Sequence, residues 1–182
     1  MRRRGGRRPG LSLLLALAAL LALFYFQDRP AARDGADEPP PEIMSARVTG
    51  VVDGDSLIVE TGAGREYTIR LYGLDAPEGR QAYGGQAAKF LAGLVKGRDI
   101  VLKVMDKDSY GRLVALVYLE EGEPVNRRLI AAGQAWVYTA HCRLPECALW
   151  REDEERARQG REGLWRDPSP KPPWKYRREM RN

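Results

Sequence analysis

Histidine and cysteine are scarce in this 182-residue chain, which contains one histidine and two cysteines. Metal sites and catalytic mechanisms that need two or more histidines are therefore excluded, and nothing supports a cysteine or serine triad. A tetrahedral zinc site built from His141, Cys142 and Cys147 would lack its fourth ligand. In an oxidising compartment an isolated cysteine pair forms a disulfide, and the sequence favours that interpretation over a metal site.

A strong positive charge is missing from the central part of the chain, although the formal net charge is +5. Residues 43–170 carry 18 basic and 19 acidic side chains, whereas residues 1–42 have a net charge of +2 and residues 171–182 a net charge of +4. Any attraction of the central part for phosphate must therefore be local and depend on a few arginines. The basic C-terminus would add attraction that weakens with salt.

The N-terminus combines a basic and an apolar segment. Residues 1–10 contain five arginines, and residues 11–27 follow as an apolar stretch in which Ser12 is the only polar residue before Gln27. This order is typical of a membrane-targeting segment. A cleaved signal peptide needs small residues after the run, but residues 24–26 are Phe-Tyr-Phe. These aromatics favour an uncleaved transmembrane anchor, although the run is short for a span.

The segments around the central domain are rich in proline. Residues 28–42 contain proline, alanine and acidic residues and predict a disordered linker, and residues 168–182 predict a loosely ordered, solvated, basic tail. Because arginines precede the apolar run, we expect the domain at residues 43–167 to lie outside the cytoplasm. It would be periplasmic or at the cell surface, or secreted if the segment is cleaved, and we expect a monomer.

Short β-prone segments alternate with helical ones in the domain. We predict strands at residues 47–52, 56–61, 65–72, 99–105 and 112–119, and helices at residues 85–96, 124–132 and about 145–159. Five short strands close into a barrel more readily than they form an open sheet, because closure removes the edges. The predicted fold class is therefore α+β, mainly β, with a five-stranded barrel and three helices.

Carboxylates and arginines cluster in the middle of the chain. The acidic residues are Asp53, Asp55, Asp75 and Glu78, and the arginines beside them are Arg70 and Arg112. Carboxylates are hard oxygen ligands for a divalent cation, and guanidinium groups match the geometry of phosphate. The cluster predicts a metal site that also clamps an anion, which is what phosphodiester hydrolysis requires.

Residues from about 46 to 165 resemble the thermonuclease family, the staphylococcal-nuclease-like proteins. The matching segments are Val52-Asp53-Gly54-Asp55-Ser56, Ile69-Arg70-Leu71, Leu74-Asp75-Ala76-Pro77-Glu78, Tyr83-Gly84, Asp108-Ser109-Tyr110-Gly111-Arg112 and Ala135-Trp136-Val137-Tyr138. Each segment is unspecific alone, and their common order makes the resemblance specific. It implies an OB-fold barrel with three helices.

The resemblance also implies a calcium site. Its protein ligands would be the carboxylates of Asp55 and Asp75 and the backbone carbonyl of Ala76, with water and a substrate phosphate completing the shell. Asp53 would lie behind these ligands and hold the Asp55 turn and a metal-bound water. The alternative for Asp53 is a purely local, turn-forming role.

Catalytic roles follow from the same resemblance. Glu78 matches the residue that serves as general base or positions the attacking water. Arg70 and Arg112 match the two arginines that bind the scissile phosphate, and their hydrogen bonds strengthen as charge grows on its oxygens.

Three aromatic residues match positions close to the nucleotide, namely Tyr110, Trp136 and Tyr138. Aromatic faces stack on any base, so they imply a preference for single strands without sequence specificity. Without the resemblance, Trp136 would be assigned to the core. Ser109 and the short loop at residues 79–82 replace basic residues that are frequent in the family, so weaker substrate affinity is expected.

Three functional hypotheses result, and the third is a membrane-tethered structural domain that calcium stabilises. The first is a calcium-dependent nuclease that hydrolyses DNA and RNA and is tethered to a membrane through its N-terminal helix. The second is a noncatalytic OB-fold module that binds nucleic acid or protein. Such modules usually lack a metal carboxylate, the glutamate or an arginine, whereas all five positions are filled in this sequence. The enzyme hypothesis is therefore favoured.

Overall fold

The structure of the protein is a computed structural model that describes residues 41–119 and 122–181. The predicted basic segment, the anchor and nearly all of the linker lie outside the described residues. Within the described ranges, no helix is long and apolar enough to cross a membrane.

Five of the seven strands in the described part of the chain form a closed barrel. The seven strands are β1 (Ile43–Val51), β2 (Ser56–Thr61), β3 (Glu66–Leu71), β4 (Leu74–Asp75), β5 (Asp99–Lys107), β6 (Leu113–Tyr118) and β7 (Trp136–Val137). The barrel order is β1-β2-β3-β6-β5, with antiparallel pairing of β1 and β5 closing it and parallel pairing between β3 and β6. The predicted five-stranded barrel is therefore confirmed. The short strands β4 and β7, which were not predicted, pair with each other in a separate ribbon.

Four α-helices accompany the barrel in the described part of the chain. They are α1 (Gly84–Val95), α2 (Val125–Ala131), α3 (Cys147–Gln159) and α4 (Pro173–Met180), and a 3-10 helix spans Gly163–Arg166. The first three are the predicted helices. The prediction of a loosely ordered, solvated tail is wrong where α4 forms. Prolines suit the first turn of a helix, Pro173 is buried, and Trp174 packs edge-on against Trp136.

Alternating side chains of the strands fill the barrel. On β1, Met44, Ala46 and Val48 point inward while their neighbours are exposed. Helix α1 packs one face against this core, because its buried residues Ala87, Leu91 and Val95 recur with helical spacing. Full burial of each large aliphatic side chain contributes about 1.5–3 kcal/mol of transfer free energy.

Two glycines allow loops to pack closely against α1. A Cβ atom at Gly54 would lie 2.7 Å from the Cβ of Ala76 and 2.8 Å from that of Ala87. A Cβ atom at Gly84 would overlap the backbone carbonyl of Glu78. Both contacts are possible only without a side chain. They bring the loop before β2 and the turn after β4 to the same end of the barrel.

Candidate functional site

Asp55 joins the two acidic segments of the sequence. It lies directly before β2, and its Oδ2 accepts a hydrogen bond of 2.7 Å from the backbone N–H of Ala76. Its Oδ1 accepts a bond of 3.1 Å from the hydroxyl of Ser56. Asp53 holds the turn, since its Oδ1 accepts the backbone N–H of Asp55 at 3.0 Å. Asp53 therefore makes the turn-forming bond, which both predicted roles of Asp53 include, and it also lines the cavity described below.

Arg70 bridges the two predicted metal carboxylates. Its Nη2 donates to Oδ1 of Asp75 at 2.8 Å. Its Nη1 lies 2.7 Å from Oδ2 of Asp55, a distance typical of an ion pair, but the two atoms lack hydrogen-bond geometry. The guanidinium is 14% exposed, and the side chain of Asp75 is completely buried. One cation thus brings together carboxylates that are 20 positions apart in the sequence.

The carboxyl group of Asp55 is buried close to two other carboxylates, those of Asp53 and Asp75. Burial raises the pKa of Asp55 to about 7, and the charges of Asp53 and Asp75 add to the rise. The charge of Arg70 and the hydrogen bond from Ala76 act in the opposite direction. A bound cation would lower this pKa, because an opposite charge favours the ionised carboxylate.

The turn after β4 places Glu78. The backbone N–H of Glu78 donates to Oε1 of Gln81 at 3.2 Å, and the Glu78 carbonyl accepts the N–H of Gln81 at 2.8 Å. These two bonds fix the backbone of Glu78, while its partly exposed carboxylate lines the same cavity as Asp55. The position suits a group that accepts a proton from water.

Arg112 is held at the start of β6 by Asp108. Its Nε donates to Oδ2 of Asp108 at 2.7 Å, and its backbone N–H donates to Oδ1 at 3.0 Å. Burial tends to raise the pKa of Asp108, but hydrogen bonds from Arg112 and its charge outweigh burial and hold that pKa below its usual value. Nη1 of Arg112 lies 3.5 Å from the hydroxyl of Ser56, which in turn contacts Asp55. Arg112 is thus connected to the carboxylate cluster.

The three predicted aromatic residues have different positions. Tyr110 is 85% exposed at the rim, with the guanidinium of Arg112 5.5 Å from its ring centroid. Tyr138 lines the cavity and stacks on Trp174 at 5.6 Å. Trp136 is only 4% exposed and packs edge-on against Trp165 at 5.1 Å. The structure does not bring Trp136 into the cavity, and its burial agrees with the core position that its pattern favours.

The charged residues described above line one cavity of about 710 Å³. Its lining includes Asp53, Asp55, Arg70, Asp75, Ala76, Glu78, Tyr110, Arg112 and Tyr138. The structure therefore brings together every predicted metal, catalytic and substrate residue except Trp136. His141 and Asp108 also line the cavity, although neither was assigned a role from the sequence.

Arg177 is the largest omission of the sequence-based prediction. It extends from α4 into the cavity, where Nη2 donates to Oδ2 of Asp75 at 2.8 Å and Nη1 donates to Oδ1 at 3.1 Å. Nη1 also donates to Oε1 of Glu78 at 2.6 Å. A signal was present in the sequence: Pro-Pro-Trp at residues 172–174 predicts an anchored helix start, and residue 177 lies one turn after the tryptophan on the same face.

The residues present fit a weakly held, hard divalent cation. In the described ranges, no group of three or more acidic, histidine or cysteine side chains is arranged to hold a metal ion. The predicted ligand set needs only two carboxylates and one carbonyl, and those carboxylates converge on the guanidinium of Arg70. Asp75 pairs with a second guanidinium as well, that of Arg177, so two positive groups already lie at this carboxylate.

Cys142 and Cys147 form the predicted disulfide, with their Cα atoms 5.8 Å apart. Both cysteines are buried, and Cys147 is the first residue of α3. The backbone N–H of Arg143, inside the closed loop, donates to the hydroxyl of Tyr72 at 2.8 Å. The bridge therefore fixes the segment that connects Tyr138 with α3.

Comparisons with known proteins agree with this architecture. A family profile described as staphylococcal nuclease homologue matches residues 68–167. Protein ParB of Escherichia coli is 35% identical over 184 aligned residues, which cover 97% of both chains. An uncharacterized endonuclease of Escherichia coli O157:H7 is 37% identical over 134 residues, covering 74% of this chain and 85% of the relative.

A plant protein is also similar. The probable staphylococcal-like nuclease CAN1 of Oryza sativa subsp. japonica is 42% identical over 118 residues, covering 65% of this chain. The aligned part is about a third of the rice protein's length, at 34%. The profile match extends from β3 to the end of the 3-10 helix and thus includes Arg70, Asp75, Glu78 and Arg112. On this match and on the two bacterial relatives, the chain belongs to the staphylococcal nuclease homologue family.

Proposed function

We propose that this protein is a calcium-dependent nuclease that hydrolyses phosphodiester bonds in DNA and RNA. The observation that carries the proposal is the convergence of two buried aspartates, one glutamate and two arginines on one cavity. These residues come from four separate segments of the chain. Around one cavity they would provide a cation site, a proton acceptor and an anion clamp.

Glu78 would accept a proton from the attacking water or hold that water in position. Its partly exposed carboxylate is accessible from the cavity, while the turn with Gln81 keeps its backbone fixed. A carboxylate has useful basicity for this step when a positioned water lies within hydrogen-bond distance. The leaving oxygen would take its proton from solvent.

Arg70 and Arg112 would bind the nonbridging oxygens of the scissile phosphate. Each already uses part of its guanidinium on a carboxylate, Arg70 on Asp75 and Arg112 on Asp108, and this orients the remaining N–H groups. Oriented donors stabilise charge that develops in the transition state, because they need no reorganisation when the reaction occurs. Calcium, when bound by Asp55, Asp75 and Ala76, would supply further positive charge for the same phosphate.

Single-stranded nucleic acid is the preferred substrate in this proposal. Tyr110 offers an exposed ring beside Arg112, and such a ring can stack on an unpaired base of any identity. Tyr138 would give a second contact deeper in the cavity. Residues 43–170 have almost no net charge, so the affinity for nucleic acid depends on these local contacts.

The N-terminal segment would tether the domain outside the cytoplasm. The disulfide between Cys142 and Cys147 supports this location, because such bonds persist in oxidising compartments. Membrane fractionation of cells that express the full chain tests the tether, and recovery of the full-length protein in the soluble fraction alone would contradict it.

A cleavage assay tests the activity itself. The full chain is incubated with single-stranded DNA, double-stranded DNA and RNA, with calcium or with a chelator. We expect cleavage with calcium, little in chelator, and a large loss in Arg112→Ala. Arg47→Ala is the matched control, since Arg47 pairs with Asp99 in an exposed ion pair outside the cavity. Equal cleavage in chelator would refute calcium dependence, and binding without turnover would favour the noncatalytic module.

A further inference from the structure

The C-terminal arm, defined as residues 168–181, reaches into the site that the proposed function assigns to calcium and water. Arg177 places one guanidinium against both oxygens of Asp75, at 2.8 and 3.1 Å. The same group contacts Glu78 at 2.6 Å. A single side chain therefore occupies the predicted metal ligand and the predicted proton acceptor together.

Arg177 and a metal ion would compete for Asp75. Both oxygens of Asp75 accept hydrogen bonds from Arg177, and Oδ1 accepts another from Arg70. A calcium ion would have to approach one of these oxygens to about 2.3–2.6 Å. It would then lie close to the guanidinium of Arg177, and the two positive charges would repel each other. Binding of calcium to Asp75 therefore opposes binding of Arg177.

The same arm covers a predicted substrate contact. The ring of Trp174 lies nearly parallel to that of Tyr138, with an angle of 11° and a centroid distance of 5.6 Å. One face of Tyr138 is thus covered by protein and cannot stack on a base. The arm contacts a metal ligand, a catalytic carboxylate and an aromatic ring, which are three different parts of the proposed machinery.

Few contacts attach the arm to the barrel. Helix α4 has eight residues, and of these only Pro173 is buried. Gln81 donates from Nε2 to the carbonyl of Lys171 at 2.5 Å, while the ion pair of Lys171 with Glu179 stays within the arm. Elements with little buried apolar area open at a small fraction of the global free energy of unfolding. The attachment of the arm therefore depends mainly on Trp174, which packs against Trp136 and Tyr138, and on the ion pairing of Arg177.

We propose that the C-terminal arm is an intramolecular competitor of calcium, and that Arg177 sets the calcium affinity of the site. In the calcium-free protein, Arg177 neutralises Asp75 and Glu78 and keeps the arm closed. When calcium takes Asp75, Arg177 leaves it, the hold on Glu78 weakens, and Trp174 uncovers Tyr138. The inference rests on the proposed calcium site and adds the chain's own gate to it.

Calcium titration calorimetry of matched variants is the first test. Arg177→Gln removes the competing guanidinium, and we expect calcium affinity to rise about ten-fold, because the binding-competent state no longer has to be released from the arm. Arg178→Gln is the control: it removes the same charge from an exposed neighbour on α4. Its affinity should stay within about two-fold of wild type, as expected for a distant screened charge. An equal change in both variants, or none in either, overturns the competition.

Hydrogen exchange of the arm is the second test, and it does not depend on activity. Adding calcium to the wild-type chain should speed amide exchange in residues 173–180 while slowing it around Asp55 and Asp75. Faster exchange in the arm supports release, whereas unchanged or slower exchange at saturating calcium overturns it. If calorimetry detects no calcium binding to any variant, the proposed calcium site and the competition fail together. If all variants bind calcium alike, the competition fails and the calcium site stands.

Discussion

The carboxylate of Asp55 accepts a 2.7 Å hydrogen bond from the backbone N–H of Ala76, which lies 21 residues later in the chain. This bond ties the loop before β2 to the segment after β4. Strand pairing positions the arginines of the site. Ser56 lies opposite Arg70 in the β2–β3 register, and Arg70 lies opposite Val114 in the β3–β6 register. Strand β3 lies between β2 and β6 in the barrel, and it therefore places Arg70 between the carboxylates and the loop that carries Arg112.

Loss of Arg112 should reduce catalysis far more than stability. We expect Arg112→Ala to lower kcat by about 10²–10³-fold, as for removal of one oriented donor to a developing anion. Single-turnover cleavage at saturating substrate measures the change, and thermal unfolding shows whether the fold is intact. Asp108→Asn, which leaves Arg112 in place but loosens it, should have a smaller effect in the same direction. A stability loss that accounts for the lost activity would contradict the catalytic role.

Calcium affinity should rise with pH up to about 7. The pKa of Asp55 lies near 7 in the folded protein, so below that pH calcium binding must release its proton. Calorimetry in buffers of different ionisation enthalpy should detect close to one proton released per ion at pH 6 and almost none at pH 8. Absence of proton release at pH 6 would mean that Asp55 is already ionised there.

The same group gives a pH dependence of stability in the absence of calcium. Because the folded-state pKa of Asp55 is raised above its ordinary value of 3.8, the folded state binds this proton more tightly than the unfolded state. The stability contributed by Asp55 is therefore fully present below about pH 4 and is lost as pH rises through about 7. Urea unfolding at pH 5 and pH 8, with Asp55→Asn as the variant that cannot titrate, measures the difference. A wild type and a variant with the same pH profile would contradict it.

Truncation of Tyr110 should weaken substrate binding, whereas truncation of Trp136 should lower the stability of the fold. Tyr110→Ala removes an exposed ring and should weaken single-strand binding by about 1–3 kcal/mol without lowering the melting temperature. Trp136→Ala empties a buried site between Trp165 and Trp174 and should destabilise the fold by about 3–5 kcal/mol. Fluorescence anisotropy with labelled DNA and thermal unfolding separate the two effects. Normal stability in Trp136→Ala would argue against its place in the core.

Local pattern predicted the barrel strands and the clustering of carboxylates and arginines, because each strand and each motif carries its signal within a few residues, whereas the roles of the individual site residues came from the family resemblance. The turn at Asp53, the alternation along β1 and the helical face of α1 all depend on neighbours in sequence. The helix that carries Arg177 has a local signal in its prolines and tryptophan, but the partners of Arg177 have none. Its partners Asp75 and Glu78 are 102 and 99 residues away, and only the docking of Trp174 beside Trp136 brings them together. Prolines and positive charge in the tail, read alone, indicate solvation.

Removal of the disulfide should lower stability more than it changes the chemistry at the cavity. By loop-closure entropy, a bridge over so short a segment contributes about 2 kcal/mol. We expect the free energy of unfolding, measured by urea denaturation, to be lower by this amount in the double variant Cys142→Ser, Cys147→Ser. The carboxylates and arginines are held by other bonds, so cleavage measured well below the melting temperature should stay within about three-fold of wild type.

Reductant supplies the control for that variant. It should lower the stability of the wild type to the level of the double variant and leave the double variant unchanged, because no other cysteine exists in the chain. A strong loss of activity at full stability would show that the bridge positions the segment after Tyr138 for substrate. In that case oxidation of the reduced wild type, which forms the disulfide again, should restore binding of single-stranded DNA in parallel with cleavage.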